Sequence, residues 1–141
     1  MKEIAQELLG SHWLDADDVM PSMVGRTMVS AKGEKGDDEI SFVSSDGYVF
    51  KFFHEQDCCE HVRVEDIDGD LTDLLNNPIT LAEVATSADS RPDEWSESWT
   101  WTFYKFATVK ASITVRWLGE SNGYYSESVQ AMVRRVVEDE G

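Results

Sequence analysis

From Met23 onward the chain alternates short runs of β-branched and aromatic residues with polar breaks, several of them carrying glycine. That texture limits the fold more than any other feature, because runs of this length, separated by turn residues, pair as strands. The first four runs cover residues 24–31, 40–43, 48–53 and 61–67. Asp46-Gly47, between the second and third, is a hairpin signal, since both central residues of a two-residue turn take positive φ. Along the fourth run, strict alternation sets Val62, Val64 and Asp66 on one face and Arg63, Glu65 and Ile67 on the other. Four runs joined by short connections read as a meander.

Leu71, Leu74 and Leu75 beside Asp70 and Asp73 predict one helical turn before Pro78. Residues 79–86 read as a fifth strand. Residues 98–106 and 111–118 read as two aromatic strands paired across a turn at 107–110. Gly119 to Gly123 reads as a further turn, and residues 124–130 as a short strand. At the ends, residues 2–9 predict an amphipathic helix with Ile4, Ala5, Leu8 and Leu9 on one face. Residues 11–21 predict a loop with one or two apolar anchors, and 131–138 a C-terminal helix. The expectation is a mostly β, minor α+β, single domain over residues 1–141, with its β core at 23–130. Its architecture is a single antiparallel meander or curled sheet, or a small sandwich, of about seven strands with short terminal helices.

Charge narrows the function. The chain carries 28 acids against 12 bases, a formal net charge of -16. Non-specific nucleic-acid affinity comes from Lys and Arg neutralising phosphates, so direct nucleic-acid binding and adhesion to anionic membranes are disfavoured. Basic partners, metal ions and surfaces that normally hold DNA are favoured. The N-terminus carries acids and lacks an apolar signal core, and no run approaches a membrane span. The only cysteines, Cys58 and Cys59, are adjacent, and closing a disulfide between neighbours strains the intervening peptide. The pair is no secreted disulfide framework, and the cytoplasm is the expected compartment.

Three clusters could carry chemistry. His54, Cys58, Cys59 and His61, with acids between them, are borderline-soft ligands for a zinc cofactor, although their spacing matches no finger. Asp66-Ile67-Asp68-Gly69-Asp70-Leu71-Thr72-Asp73 has carboxylates at alternate positions, as calcium loops do. It departs from the EF-hand, because Gly69 precedes Asp70 and the twelfth position is Asn77. A tight turn with capping aspartates and a positive-φ Gly69 accounts for it better. Gly119-Glu120-Ser121-Asn122-Gly123-Tyr124-Tyr125 offers small polar groups beside two tyrosines, suited to a planar ligand such as a nucleotide, with Arg116 or Lys105 for its charge. Trp99, Trp101 and Phe103 form an aromatic stripe accompanied by Lys51, Lys105 and Arg116. No Walker loop, Rossmann fingerprint, nucleophile elbow or His-Glu-x-x-His supports catalysis.

Two stretches are similar to a known family. One is Phe52-Phe53-His54-Glu55-Gln56-Asp57-Cys58-Cys59-Glu60 leading into Glu65-Asp66-Ile67-Asp68-Gly69-Asp70-Leu71. The other is Thr100-Trp101-Thr102-Phe103-Tyr104-Lys105-Phe106-Ala107-Thr108 leading into Arg116-Trp117-Leu118-Gly119-Glu120-Ser121-Asn122-Gly123-Tyr124-Tyr125-Ser126. Over residues 23–130 the chain resembles an uncharacterised domain family of small acidic proteins, common in bacteriophages and found also in bacteria. The resemblance implies a phage setting. It also makes His54, Glu55, Asp57, Cys58, Cys59, Asp66, Asp68, Ser121, Asn122 and Tyr124 candidates for one composite site if the two loops meet.

The leading expectation is a non-enzymatic interaction protein that presents an acidic surface to a basic groove on a host defence or regulatory factor. Its binding residues would be Glu65, Asp66, Asp68, Asp70 and Asp73, within a 55–73 segment holding eight acids against one Arg. A nucleotide-binding protein using Arg116, Ser121, Asn122, Tyr124 and Tyr125 is the second expectation, and a zinc protein the third. Aromatic strand edges admit a homodimer.

Overall fold

The computed structural model describes residues 4, 9, 14–56, 59–88, 91–123 and 126–135. The strands are β1 (Leu14–Asp15), β2 (Met28–Lys32), β3 (Glu39–Ser44), β4 (Tyr48–Phe53), β5 (His61–Asp68), β6 (Leu81–Ser87), β7 (Ser98–Ala107), β8 (Ser112–Ser121) and β9 (Gln130–Arg135). They form two antiparallel sheets, ordered β1-β9-β4-β3-β2 and β5-β8-β7-β6. Of the two architectures expected, the sandwich is the one adopted.

Alternation fills the space between the sheets. Ile40, Phe42, Phe50, Phe52 and Val133 of the first sheet meet Tyr104, Phe106, Ile113, Val115 and Trp117 of the second in one buried cluster. Phe42 packs on Phe106 with ring centroids 5.1 Å apart, and Phe52 on Tyr104 at 4.9 Å. Both tilted pairs bridge the sheets, and each adds about 0.5–1.5 kcal/mol beyond its burial.

The meander expectation holds for β2, β3 and β4 and fails at the next strand. After Phe53 the chain crosses between the sheets through residues 54–60, and β5 pairs with β8. A bulge between Val64 and Asp66 also shifts its alternation. Val62 and Val64 are buried on one face as the alternation pairs them, but Asp66, expected on that face, is exposed and Ile67 packs against the core. One extra residue lets Ile67 reach apolar neighbours and Asp66 reach water.

Other boundaries move for similar reasons. The Asp46-Gly47 turn takes positive φ at Gly47 alone (φ 91), while the Asp46 carboxylate accepts from Ser44 Oγ at 2.6 Å and pairs with buried Arg26. Residues 24–27 precede β2 rather than belonging to it. Of the loop expected at 11–21, residues 11–13 lie outside the described residues and the rest instead forms β1, the helix Ala16–Val19 and a 3-10 turn at Met20–Met23, burying Val19, Met20 and Met23. The expected turn at 119–123 begins inside β8, which runs on to Ser121. Of the C-terminal helix expected at 131–138, residues 131–135 belong instead to β9, paired with β4 through Phe50↔Val133 and Phe52↔Ala131, and 136–138 lie outside the described residues. Ala131, Met132 and Val133 are all buried, so neither period is visible there. The helical turn before Pro78 is present at Leu71–Leu74. The N-terminal helix at 2–9 lies outside the described residues apart from Ile4, which is buried, and Leu9, which bridges to Val133. Among the described residues no helix is long and apolar enough to cross a membrane.

Candidate functional site

Nine acidic residues gather at one sheet edge. β5 is the outer strand of its sheet, and its backbone is capped midway by the β2–β3 loop. Gly36 N–H donates to the Val64 carbonyl at 2.7 Å, and Val64 N–H donates to the Asp37 carbonyl at 2.7 Å. These bonds lay exposed Glu34, Asp37, Asp38 and Glu39 alongside Asp66, Asp68, Asp70 and Asp73, which are exposed as well. Residues 32–39 and 63–73 together carry nine acids against three bases. One of those bases, Arg63, is committed to Glu120 (2.7 Å) and Glu65 (3.4 Å). The loop's contribution was not anticipated from sequence. Alternating Asp, Glu and Lys around Gly33 and Gly36 carry no signal that this loop docks on β5.

Asp70 is the N-cap of the Leu71–Leu74 turn. Its Oδ1 accepts from Thr72 Oγ1 at 2.7 Å and from Thr72 N–H at 3.0 Å. These bonds favour the ionised carboxylate and hold its pKa below the ordinary 3.8. Gly69 before it takes φ 111, as a tight turn requires. The segment is therefore built as a capped turn on the charged edge.

The two family-like loops do meet. His61 stands opposite Glu120 and Val62 opposite Gly119 in the β5–β8 register. Cys59, His61, Ser121 and Asn122 line one shallow depression of about 320 Å3 with Trp95, which is 82% exposed. Behind it, His54 is buried with both ring nitrogens engaged: Nδ1 lies 2.8 Å from the Ser128 carbonyl and Nε2 lies 2.8 Å from Glu60 Oε2. Glu60 is itself buried. A carbonyl only accepts, so Nδ1 carries a proton and the Nε2–Glu60 contact shares another. Glu60, overlooked in the sequence as one more acid, is the internal partner of His54.

Among the described residues, no group of three His, Cys, Asp or Glu side chains could hold a metal ion. His61 is exposed on β5, and Cys59 is disulfide-bonded despite the ring-strain argument from sequence. Cys58, the only other cysteine, lies outside the described residues, as does Asp57.

The residues proposed for a nucleotide are divided between the faces of β8. Arg116 is exposed on the outer face, over the Trp101 ring at 5.1 Å. Ser121 pairs with Ser98 on the inner face and donates to Glu127 Oε2 at 2.6 Å. Tyr124 and Tyr125 lie outside the described residues. Lys51 belongs to the other sheet and pairs with Glu39 at 3.8 Å, so it does not accompany the aromatic stripe.

No curated protein and no solved structure matches the chain. A family model described as a domain of unknown function (DUF7448) matches residues 21–131, and the chain belongs to that family.

Proposed function

We propose that the chain is a non-enzymatic interaction protein whose acidic edge, formed by the β2–β3 loop and the β5–Asp73 segment, docks on a basic protein surface. The single observation that carries this reading is the Gly36–Val64–Asp37 backbone pairing, which merges two acidic segments distant in sequence into one surface. Charges this dense reinforce one another within a Debye length of about 8 Å at physiological salt, giving fast and salt-sensitive association. In the phage setting that the family resemblance implies, the partner would be a host defence or regulatory factor in the bacterial cytoplasm.

The test is affinity capture from bacterial lysate, then titration of the purified partner. The comparison is with Asp66→Asn/Asp68→Asn/Asp73→Asn, which leaves the Asp70 cap intact. The triple variant should bind at least about tenfold more weakly, with a shallower salt dependence. Unchanged affinity and salt slope would refute the reading.

A further inference from the structure

The inward-facing positions of β7 change character along the strand. Phe106 and Tyr104 fill the core, whereas Thr102, Thr100 and Ser98 place hydroxyls on the same face, and Gly119 stands opposite Thr100 on β8. The sheets are therefore not filled at this end, and a cleft of about 560 Å3 opens, bounded by the helix Ala16–Val19 and residues 126–129. That volume lies within the range of small-molecule sites.

Three features of the lining have direction. First, among the described residues that line it the charged side chains are both carboxylates, Asp17 and Glu127, with no Lys or Arg. Second, Glu127 is held in place, Oε1 accepting from Thr100 Oγ1 at 2.8 Å and Oε2 from Ser121 Oγ at 2.6 Å, with lone pairs left over. Third, Tyr104 contributes to the wall with 0% exposure, and its phenol oxygen has no hydrogen-bond partner among the described residues. Burial, then the nearby Asp17 carboxylate, push that phenol well above its ordinary pKa, so it remains a hydroxyl donor. An unpaired buried hydroxyl is a standing cost that a bound acceptor would remove.

An anion such as a nucleotide phosphate finds no base among the described lining residues and two carboxylates against it. A purely apolar ligand would strand the hydroxyls. We propose that the cleft binds a small polyhydroxylated amine of the amino-sugar type. Its ammonium group meets Asp17 and Glu127, its hydroxyls meet the Ser and Thr lining, and one of its oxygens accepts from Tyr104. This site shares no residue with the acidic edge and does not depend on the protein-partner reading.

The test uses glucosamine as probe on the full chain at physiological salt, followed by amide NMR shifts and calorimetry, with glucose and glucosamine 6-phosphate as the neutral and anionic comparators. Glucosamine should bind one per chain, about tenfold or more tighter than either comparator. Asp17→Asn and Tyr104→Phe should each weaken it about fivefold or more. Tyr104→Phe keeps the ring and removes the unpaired hydroxyl, so its melting temperature should stay the same or rise, which separates lost binding from lost folding. Asp66→Asn/Asp68→Asn/Asp73→Asn should leave glucosamine binding unchanged. The proposal is overturned by no glucosamine binding, by equal affinity for glucose, by indifference to both cleft variants, or by loss on neutralising the distant edge, which would mark diffuse charge attraction.

Discussion

Replacing Glu60 distinguishes a buried polar junction from ordinary loop packing. The side chains of His54 and Glu60 are 2% and 0% exposed, so neither has water to fall back on. Glu60→Ala leaves His54 Nε2 facing a cavity. Breaking a buried pair by removing one partner costs about 3–5 kcal/mol. For a domain of this size that lowers the melting temperature on the order of 10 °C or more. Glu60→Gln keeps the shape. Because Nδ1 already donates to the Ser128 carbonyl, neutral His54 has a free lone pair on Nε2, and the new amide N–H can donate to it. The amide oxygen then stays available to Gln56, whose Nε2 lies 3.5 Å from Glu60 Oε1.

The conservative variant should therefore lose no more than about 1.5 kcal/mol, and the truncation at least twice that. Urea unfolding followed by far-UV circular dichroism measures both, and imidazole 15N shifts report whether the Nδ1–H tautomer persists. Equal damage from Gln and Ala would refute the reasoning, because the site would then require the charge itself. So would a truncation costing less than about 1 kcal/mol, because the pair would then not be sealed from solvent.

Gly119→Ala should cost about 1–3 kcal/mol by overpacking, since its new Cβ would collide with the Glu127 carbonyl oxygen and stand 2.9 Å from Glu127 Cβ; a denaturation midpoint equal to wild type would show that residues 126–129 yield freely. Asp70 should titrate by carbonyl 13C NMR below 3.8, and Thr72→Val, which removes the hydroxyl donor, should move it upward. The folded pKa is lowered, so the stability Asp70 contributes is complete above 3.8 and is lost as pH falls through the folded value. A midpoint at 3.8 or above would contradict the cap.

The strand runs at 48–53 and 98–106 and the turn before Pro78 were legible because each is decided locally, by β-favouring residues or by a capping aspartate. What was not legible depends on which face of an alternation wins. In β7, Trp99, Trp101 and Phe103 alternate with Thr100, Thr102 and Tyr104, and hydrophobicity alone favours the first set for the core. The structure turns the second set inward instead, burying Thr102 and Tyr104, because Tyr104 and Phe106 must meet Phe52 and Phe42 across the sandwich. That choice leaves Ser98 and the threonines facing inward and so creates the cleft. The cross-sheet partners that decide it lie 52 and 64 residues earlier, beyond the reach of any local window. The His54–Glu60 contact was missed for the related reason that residue types within a loop do not reveal which side chains turn inward.

The same junction connects the two surfaces. Residues 54–60 carry the chain from the first sheet to the start of β5, so His54 and Glu60 set where the acidic edge begins. The second bond of His54, to the Ser128 carbonyl, anchors the segment that holds Glu127 over the cleft. The edge and the cleft have separate residues and separate chemistry, yet both rest on one imidazole. Loss of Glu60 should therefore disturb both, whereas variants confined to Asp66 or Asp17 should each disturb one. A protein in which Glu60→Ala weakened neither would have to position residues 126–129 by the β7 and β8 contacts of Glu127 alone.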